Sequence, residues 1–520
     1  MLVVMSTAWC YVALGTVLPA AAQRRQMQLS LQEATAFALR NNLDIQIVGI
    51  TPRIRAAETT EEQGIFDVEG TAEFVASDAR LLETSSLFQE RVVGNIVTQD
   101  NSQEQELSVG MSQLTPYGGT YEIEVSAAHL DTTRRTSAFA VDILEDPTNL
   151  TPRAEFYERT VELKITQPLL RDFGIIVTKN QILIAQNNLA ISQEDFRRQI
   201  IASTSEVQRT YWELVFRRQD LEVRQQQIAL NQRLLAQVRR QVEVGTLAPI
   251  EVLQAETDIA RVKEQIIQAD NDVKNTEDRL KRIMNFSLLG EFADIELLPT
   301  DTPIFTSPVL KQEEEIRQAL ENRHDLIQAK LELENQNITL IFNKNQALPT
   351  LDLQGSFQLN GIDRDFSGSL EQFRLSRHRW EVGLVFRHPL GNRRGKSRVQ
   401  QSQLAIRQQM LTIKNLEENI LEDVRVAVRQ VMASSQLVQA SRAASRLAQK
   451  QREAEEKKLK VGLSTLFFVL QFQQDLSDAR SRGIRALTAY LQALISLEEA
   501  KNTLLQSYNI VVQPNGPRLQ

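Results

Sequence analysis

The sequence predicts a mainly α-helical protein with a small antiparallel β part, built from one large unit that occurs twice. The first observation behind this prediction is a duplicated pattern, which runs from about residue 168 to 285 and again from about 389 to 502. The second is a pair of very long segments without glycine or proline, and the third is a pair of alternating, strand-like segments before each of them. Repetition on this scale favours an architectural role over a catalytic one.

The duplicated pattern is carried by short motifs that occur in the same order. Each copy opens with a Pro-Leu pair, has a glycine six residues after the proline, and continues with a long helical segment, a Val-Gly turn and a Val-Leu-Gln triplet. The opening residues are Pro168 and Gly174 in the first copy, and Pro389 and Gly395 in the second. The offset is 221 residues at the prolines and 217 at the turns, so the copies stay nearly in step.

The long helices account for most of the predicted structure. No glycine or proline lies between Gly174 and Gly245 or between Gly395 and Gly462, so backbone chemistry interrupts neither segment. At 1.5 Å per residue each helix could extend for roughly 100 Å, a length typical of coiled coils. Apolar residues recur at helical spacing, which indicates packing of helix against helix. Neither helix is apolar for 18 residues in succession, so neither is expected to span a bilayer.

Composition and charge exclude several classes of protein. The net charge is −7, and lysine and arginine are scattered among acids, which argues against a nucleic-acid surface. Cys10 is the only cysteine, so neither an intrachain disulfide nor a thiolate metal cluster is expected. We expect no cofactor.

Residues 1–22 are predicted to be an export signal. Leu2 to Leu18 is an apolar run, and Pro19-Ala20-Ala21-Ala22 supplies the small side chains that a signal peptidase accepts. An uncleaved anchor is the alternative. The bulky Trp9 before Cys10 does not match a lipoprotein cleavage site, so acylation is not expected.

Four segments alternate with period two and are predicted to be strands. They are Phe66–Val75, Thr160–Gln167, Leu351–Leu359 and Trp380–Phe386. Four strands are too few to close a membrane barrel, so several copies of the chain would have to share one. The alternative is a small soluble sheet packed on the helices.

About 80 residues separate the first two predicted strands. They include a predicted hairpin at Glu106–Val125, turned by Pro116-Tyr117-Gly118-Gly119. The simplest interpretation of residues 78–155 is an enlarged extracellular loop, or strands that extend above the membrane. The counterpart in the second half, Asn360–Arg379, is much shorter.

The order of these parts resembles the TolC-like outer-membrane efflux proteins. The resemblance covers nearly the whole mature chain, from Leu29 to about Tyr508. Its specific marks are the segment Gln167–Gly174 at the strand-to-helix junction, the segment Val244–Ala255, and the segment Val461–Gln471. Their occurrence in both halves, in register, makes the resemblance strong.

The resemblance implies a homotrimer in the outer membrane of a Gram-negative-type cell, with a large periplasmic part. Four strands per chain would complete a twelve-stranded β-barrel by trimerisation, and the helices would form a coiled-coil barrel across the periplasm. The protein would then be a passive exit duct for efflux or type I secretion, served by an inner-membrane transporter and a periplasmic adaptor. The expected organisation is a first repeat at 23–285, a connector or equatorial segment at 286–312, a second repeat at 313–513, and a C-terminal tail at 514–520.

The same resemblance assigns the two Val-Gly turns to the periplasmic tip, where adaptors dock. The residues that match are Val244, Gly245, Thr246, Val461, Gly462 and Leu463. A glycine lets the backbone reverse and leaves a notch that another backbone can approach. The alternative is a pair of helix caps without any partner.

The predicted periplasmic aperture departs from the family pattern. Some members carry acidic rings near the second tip, but Phe468 and Gln471 stand at those positions here. Glu251 keeps the acid in the first repeat, and Asp475 shares a helix face with Phe468 and Gln471. We therefore expect a constriction closed by apolar packing, with a weaker acidic ring from Glu251 and Asp475. Alternatively, the phenylalanines of this tip simply pack between helices.

An enzyme is not expected. The four histidines, His129, His324, His378 and His388, lack zinc-ligand spacing, and neither a nucleophile elbow nor a phosphate loop occurs. A soluble coiled-coil scaffold is the other alternative, although it would leave the export signal and the strands without a role.

Overall fold

The computed structural model describes residues 26–89, 92–138, 153–286, 295–307, 309–372, 377–507, 510–513 and 516–519. The predicted export signal at residues 1–22, including Cys10, lies outside the described residues. The chain forms two compact units. One comprises Met1–Gly49, Phe196–His324 and Glu417–Gln520, and the other comprises Ile50–Asp195 and Asp325–Leu416.

The helices and strands differ widely in length, from four residues to the 68 residues of the longest helix. The helices are α1 (Leu31–Asn41), α2 (Leu43–Gln63), α3 (Ile175–Thr178), α4 (Asn180–Glu243), α5 (Ile250–Ile283), α6 (Gln312–Asn322), α7 (His324–Gln346), α8 (Phe366–Glu371), α9 (Arg393–Lys460), α10 (Leu466–Lys501) and α11 (Leu504–Ser507). The strands are β1 (Gln26–Leu29), β2 (Glu69–Gln89), β3 (Val92–Leu114), β4 (Thr120–Ala138), β5 (Arg153–Pro168), β6 (Glu296–Pro299), β7 (Thr350–Asp363), β8 (His378–Arg387), β9 (Ile510–Gln513) and β10 (Gly516–Leu519).

The two predicted long helices are α4, of 64 residues, and α9, of 68 residues. The first is less continuous than expected, because α3 and α4 are separated at Lys179. Both end directly before the predicted Val-Gly turns, and α5 and α10 are the return helices. In the described part of the chain, no helix has an 18-residue stretch apolar enough to cross a membrane.

The main sheet of the second unit contains two strands more than the four that were predicted from alternation. This sheet has six strands in the order β2-β3-β4-β5-β7-β8, and every neighbouring pair is antiparallel. The predicted hairpin forms as β3 and β4, but it pairs with the rest of the sheet and separates β2 from β5. The hairpin can join because its strands continue the alternation of their neighbours, so both of its edges find a partner in register.

In the first unit, the core joins α4 to the chain's N-terminal strand and to the connector. Strand β1 pairs in parallel with β6 of the connector, and Leu29 and Leu297 of this pair are buried against Tyr211 of α4. The Tyr211 hydroxyl donates a hydrogen bond to Asp301 Oδ2 at 2.6 Å, and the Leu31 backbone N–H donates to the same oxygen at 2.6 Å. Burial, together with the Asp301 carboxylate, raises the pKa of Tyr211 above its usual range.

Candidate functional site

The first predicted tip is a tight helix-ending turn between α4 and α5. Gly245 has a φ of +75°, a left-handed conformation that glycine adopts without steric cost. Its N–H donates to the carbonyl of Val242 at 2.9 Å, and the N–H of Thr246 donates to the carbonyl of Gln241 at 2.8 Å. These two bonds form a Schellman motif, which satisfies the last carbonyls of α4.

The second predicted tip, between α9 and α10, repeats this geometry. Gly462 has a φ of +73°, its N–H donates to the carbonyl of Leu459 at 3.1 Å, and the N–H of Leu463 donates to the carbonyl of Lys458 at 2.9 Å. A Cβ added to Gly245 or Gly462 would meet no atom within 4 Å. The glycines are therefore required by the backbone conformation, and the space beside them is open.

Three of the four residues that flank the two glycines are apolar and exposed, and the fourth is Thr246. Val244 is 73% exposed, Val461 is 68% exposed and Leu463 is 79% exposed. Exposed apolar side chains at a rigid turn present surface that a partner can bury. Both predicted tips therefore combine an open notch with apolar side chains.

The two tips lie together, because they share one apolar cluster in the first unit. Leu466 and Leu470 of α10 are buried against Val238 of α4 and Ala255 of α5. Half-buried apolar residues surround them, namely Leu234, Leu235, Val242, Leu247 and Val252. The cluster joins the end of one long helix to the beginnings of both return helices, so the turns are held in a fixed arrangement.

Three of the four predicted aperture residues share an exposed face of α10. Phe468, Gln471 and Asp475 are exposed, whereas Leu470 and Leu476 on the other side of the helix are buried. Residues spaced three and four apart on a helix lie on the same side of it, so these three side chains face the same way. Phe468 is 48% exposed in the single chain. Its ring meets that of Phe467 edge to face, with ring centroids 5.5 Å apart.

The fourth aperture residue, Glu251, is placed differently. It lies in the first turn of α5, where the helix dipole favours a carboxylate, and it is half-buried. Its Oε2 atom is shielded from solvent and has no hydrogen-bond partner among the described residues.

A brace at the second tip was not predicted from the sequence. The Ser464 hydroxyl donates to Glu455 Oε1 at 2.6 Å, and Lys458 Nζ donates to Glu455 Oε2 at 3.0 Å. These bonds, the one from Ser464 foremost, hold the pKa of Glu455 below its usual range. The spacing of Glu455 and Lys458, three residues apart on a helix, indicates that these two side chains can pair. The contact with Ser464 could not be predicted in this way, because it exists only where the glycine turn reverses the chain. At the first tip, Arg239 and Glu256 form an ion pair at 2.6 Å between α4 and α5.

The first strand-to-helix junction is tightly packed against the turn of the β3–β4 hairpin. Gly174 has a φ of +114°, and its N–H donates to the carbonyl of Tyr117 at 3.3 Å. A Cβ on Gly118 would lie 2.2 Å from the carbonyl oxygen of Asp172, so no larger residue fits there without a shift of the backbone. The motif at Pro168–Gly174 therefore positions the hairpin as well as the helix.

At the second strand-to-helix junction, the residues with left-handed backbone conformation lie closer to the proline than Gly174 does at the first junction. They are Gly391, with a φ of +85°, and Asn392, with a φ of +42°, both directly after the Pro389-Leu390 pair. Gly395 lies inside the first turn of α9, where an added Cβ would approach the Ala347 backbone to 3.1 Å. The repeated glycines thus act differently: Gly174 permits a turn, whereas Gly395 permits close packing.

Among the described residues, no group of three or more His, Cys, Asp or Glu side chains is arranged to hold a metal ion. His129 lies 3.0 Å from Glu155 Oε1 and stacks on Tyr157, and His378 stacks on Phe357. Both stacking contacts lie within the main sheet.

Comparison with protein-family models places most of the two halves in one family. The model for "outer membrane efflux protein" matches residues 147–285 and 316–503. Each matched segment contains one copy of the duplicated pattern, and together the two segments cover more than half of the chain.

Similar proteins and similar structures agree with that match. The chain is 24% identical over 305 residues to the outer membrane protein TolC of Vibrio cholerae, which covers 57% of this chain and 67% of that protein. It is 25% identical over 282 residues to TolC of Salmonella enteritidis, which covers 52% of this chain and 55% of that protein. The Campylobacter jejuni CmeC outer membrane channel has a similar fold, with a TM-score of 0.62 and 14% identity over 91% of this chain and 85% of that one.

Proposed function

Because the chain belongs to the outer membrane efflux protein family, we propose that it forms the exit duct of an efflux or type I secretion system. This family consists of transport conduits and not of enzymes. In the proposed assembly, three copies share one membrane barrel and one helical tunnel. An inner-membrane transporter and a periplasmic adaptor deliver the cargo.

The observation that carries this proposal is the pair of matching tips on a single apolar cluster. A scaffold needs long helices that end in turns, but it has no need for exposed valine and leucine side chains at two neighbouring turns of the same geometry. A duct that must meet a partner at that end does need them. The six tip residues, Val244 to Thr246 and Val461 to Leu463, are therefore the proposed adaptor-docking surface.

The open sheet supports assembly from several copies. Within the described strands, β2 and β8 lie at the sheet edges and each has one side unpaired. Unpaired backbone N–H and C=O groups cannot remain in a membrane, so the edges must meet equivalent edges of other copies. Closed cyclic symmetry satisfies both edges at once, and threefold closure is the proposed form.

The aperture is proposed to lie on the exposed face of α10. Phe468 and Gln471 would narrow the tunnel, and Asp475 would add a ring of carboxylates one turn away. Glu251 is a less direct contributor, because it is half-buried at the start of α5. Its shielded carboxylate oxygen could accept a bond from a neighbouring copy on assembly.

The proposed location is the outer membrane, with the helical part in the periplasm. Residues 1–22 would be removed after export. The two repeats at 23–285 and 313–513, joined by the connector at 286–312, would each supply one long helix and one return helix to the wall of the tunnel. The tail at 514–520 contains β10, which pairs with β9.

The test is envelope fractionation of a Gram-negative host that expresses the full chain. We expect the protein in the outer membrane, as a trimer-sized band in unheated samples that becomes a monomer band after boiling. A soluble, elongated species without membrane association would instead support a coiled-coil scaffold and contradict the duct.

A further inference from the structure

The β3–β4 hairpin carries the same two-faced pattern as the rest of the sheet. On β8, one face consists of Trp380, Val382, Leu384 and Phe386, all 64% to 68% exposed. The register of the pairs places apolar residues of the hairpin on that same face. They are Leu107, Val109 and Met111 on β3, and Tyr121, Ile123 and Val125 on β4.

These hairpin residues are exposed in the chain by itself. Val109 is 52% exposed, Met111 is 61% exposed and Ile123 is 45% exposed. The opposite face of the same two strands is polar. It includes Glu106, Ser108 and Ser112 on β3, and Glu122, Glu124 and Ser126 on β4. A wall with one apolar and one polar face is the pattern of a strand between lipid and a water-filled lumen.

The position of the apolar run along each strand gives a second, independent observation. One row of paired residues crosses the sheet and consists of Trp380, Phe357, Leu163, Ile123, Met111 and Gly70. On β8 the apolar run extends from this row in one direction, from Trp380 to Phe386. On β2 it extends in the other direction, from Gly70 to Ala76. The runs on the four strands between them have intermediate positions.

This displacement is the one expected if the apolar residues form a belt parallel to the membrane plane and the strands cross that belt at a tilt. On β8 the centre of the apolar run lies three residues to one side of this row, and on β2 it lies three residues to the other side. The centre is therefore displaced by six residues over the five steps from β8 to β2. With about 3.3 Å per residue and about 4.8 Å between strands, the displacement gives a tilt of roughly 40°. Strands of membrane barrels tilt by about 35–45°.

We propose that the hairpin is part of the membrane wall and that its apolar face contacts lipid, so that each copy contributes six strands. The inference rests on the proposed outer-membrane duct, but it goes beyond it, because a loop or a hairpin above the membrane would leave only four strands in the wall. Threefold closure then gives eighteen strands, since three copies contribute six each. Barrel diameter grows roughly linearly with strand number, so the barrel is about 1.5 times as wide as one with twelve strands.

The ends of the apolar face also fit a membrane boundary. Tyr121 lies at the end of the hairpin face nearest the helices. At the other end, Arg159 of β5 ends the apolar run and contacts the ring of Phe366 at 4.0 Å, and Tyr157 beyond it stacks on His129. Aromatic side chains at both limits of an apolar band are typical of the two interfaces of a membrane barrel.

The test uses single cysteines in a Cys10→Ser background, labelled with a small fluorophore in the full-length protein and reconstituted in phosphatidylcholine vesicles. Val109→Cys and Ile123→Cys report on the hairpin, Leu384→Cys on β8 is the reference, and Ser108→Cys and Ser126→Cys report on the opposite face. The probes are a nitroxide-bearing lipid and aqueous iodide. We expect the first three labels to lose fluorescence to the nitroxide lipid to the same extent, and the two serine positions to respond to iodide alone.

Two results overturn the proposal, and they are distinguishable. If Leu384→Cys responds to the lipid quencher while Val109→Cys and Ile123→Cys respond only to iodide, the hairpin lies outside the wall and the duct stands. If none of the three responds to the lipid quencher, the sheet is not in the membrane and the proposed duct fails as well.

A second measurement covers the case in which a labelled variant does not fold. Cysteines at the paired positions Ile123 and Leu163, or Glu124 and Glu162, should oxidise to an intrachain disulfide in intact cells, because β4 and β5 are adjacent. The mismatched pair Ile123 and Glu162 points to opposite faces and should not. Absence of both matched disulfides overturns the six-stranded wall.

Discussion

At the residue scale, the tips depend on glycine for backbone conformation and not for space. Gly245 and Gly462 have positive φ angles, yet an added Cβ would meet no atom within 4 Å at either position. The left-handed conformation costs an L-residue roughly 1–2 kcal/mol. The same substitution should therefore have opposite effects at a tip and inside a helix.

Gly462→Ala should loosen the second tip by about 1 kcal/mol, because the alanine is strained at a φ of +73°. The measurement is amide hydrogen exchange across the turn, which should become about fivefold faster. The matched control is Gly483→Ala, which lies inside α10 and also has open space around it. That change should stabilise the helix by about 0.5–1 kcal/mol, and equal effects at the two positions would contradict the argument.

The brace of Glu455 should make the second tip sensitive to acid. The pKa of Glu455 is lowered in the folded protein, so its contribution is fully present above the ordinary glutamate pKa of about 4.3 and is lost as the pH falls through the lowered value. Protection of the turn in hydrogen exchange, corrected for the intrinsic rate, should be constant from pH 8 to pH 6 and should fall below about pH 4. Glu455→Gln should remove this pH dependence; a dependence that survives would assign it to another group.

At the element scale, the two faces of α10 are expected to have separate roles. Leu470 is buried in the cluster that joins the tips, so Leu470→Ala should lower the free energy of unfolding by about 2–5 kcal/mol and lower the thermal stability of the helical part.

Phe468 lies on the exposed face of the same helix, so Phe468→Ala should change the free energy of unfolding little. The substitution should instead raise the conductance of reconstituted channels in a planar bilayer. Unchanged conductance would exclude Phe468 from the aperture.

The polar face of the hairpin should influence ion selectivity if it lines the lumen. Glu122 and Glu124 lie on this face, and Lys164 of β5 lies 3.9 Å from the Glu124 carboxylate. Glu122→Gln together with Glu124→Gln removes two negative charges per copy and should lower the preference for cations, measured as reversal potential in a salt gradient. Lys164→Gln is the control of opposite sign and should raise that preference. Equal reversal potentials for both variants would place this face outside the ion path.

Features that depend on residues close together in the sequence were predicted, whereas features that depend on contacts between distant residues were not. Helix ends at Val-Gly turns and the hairpin turn at Pro116–Gly119 follow from the conformations that glycine and proline permit, so both were predicted. Membership of the hairpin in the main sheet was missed, because alternation specifies which face is apolar but not which strand is the neighbour. The shift of the left-handed residues to Gly391 and Asn392 was missed for a similar reason, since packing near Ala347 decides it.

At the scale of the whole molecule, the chain leaves two kinds of surface unsatisfied, and each requires a different partner. The sheet edges at β2 and β8 expose backbone groups that only another strand can pair. The tips expose apolar side chains on a rigid turn, which a second protein can cover without any strand exchange. Loss of the first surface should prevent assembly, whereas loss of the second should leave assembly intact and prevent docking.

Val244→Asp combined with Leu463→Asp should therefore abolish export while the channel itself still forms. A charge on each exposed tip residue is compatible with the folded chain, since these side chains are 73% and 79% exposed, but it would have to be desolvated under an adaptor. In a host whose drug resistance depends on this protein, resistance should fall to the level of cells that lack it, while the heat-modifiable trimer stays in the outer membrane. Val309→Asp, an equally drastic change at a connector residue that is 92% exposed, should keep both properties. Full resistance in the double variant would show that the adaptor contacts another surface, because a docked tip could not tolerate two buried carboxylates in each copy.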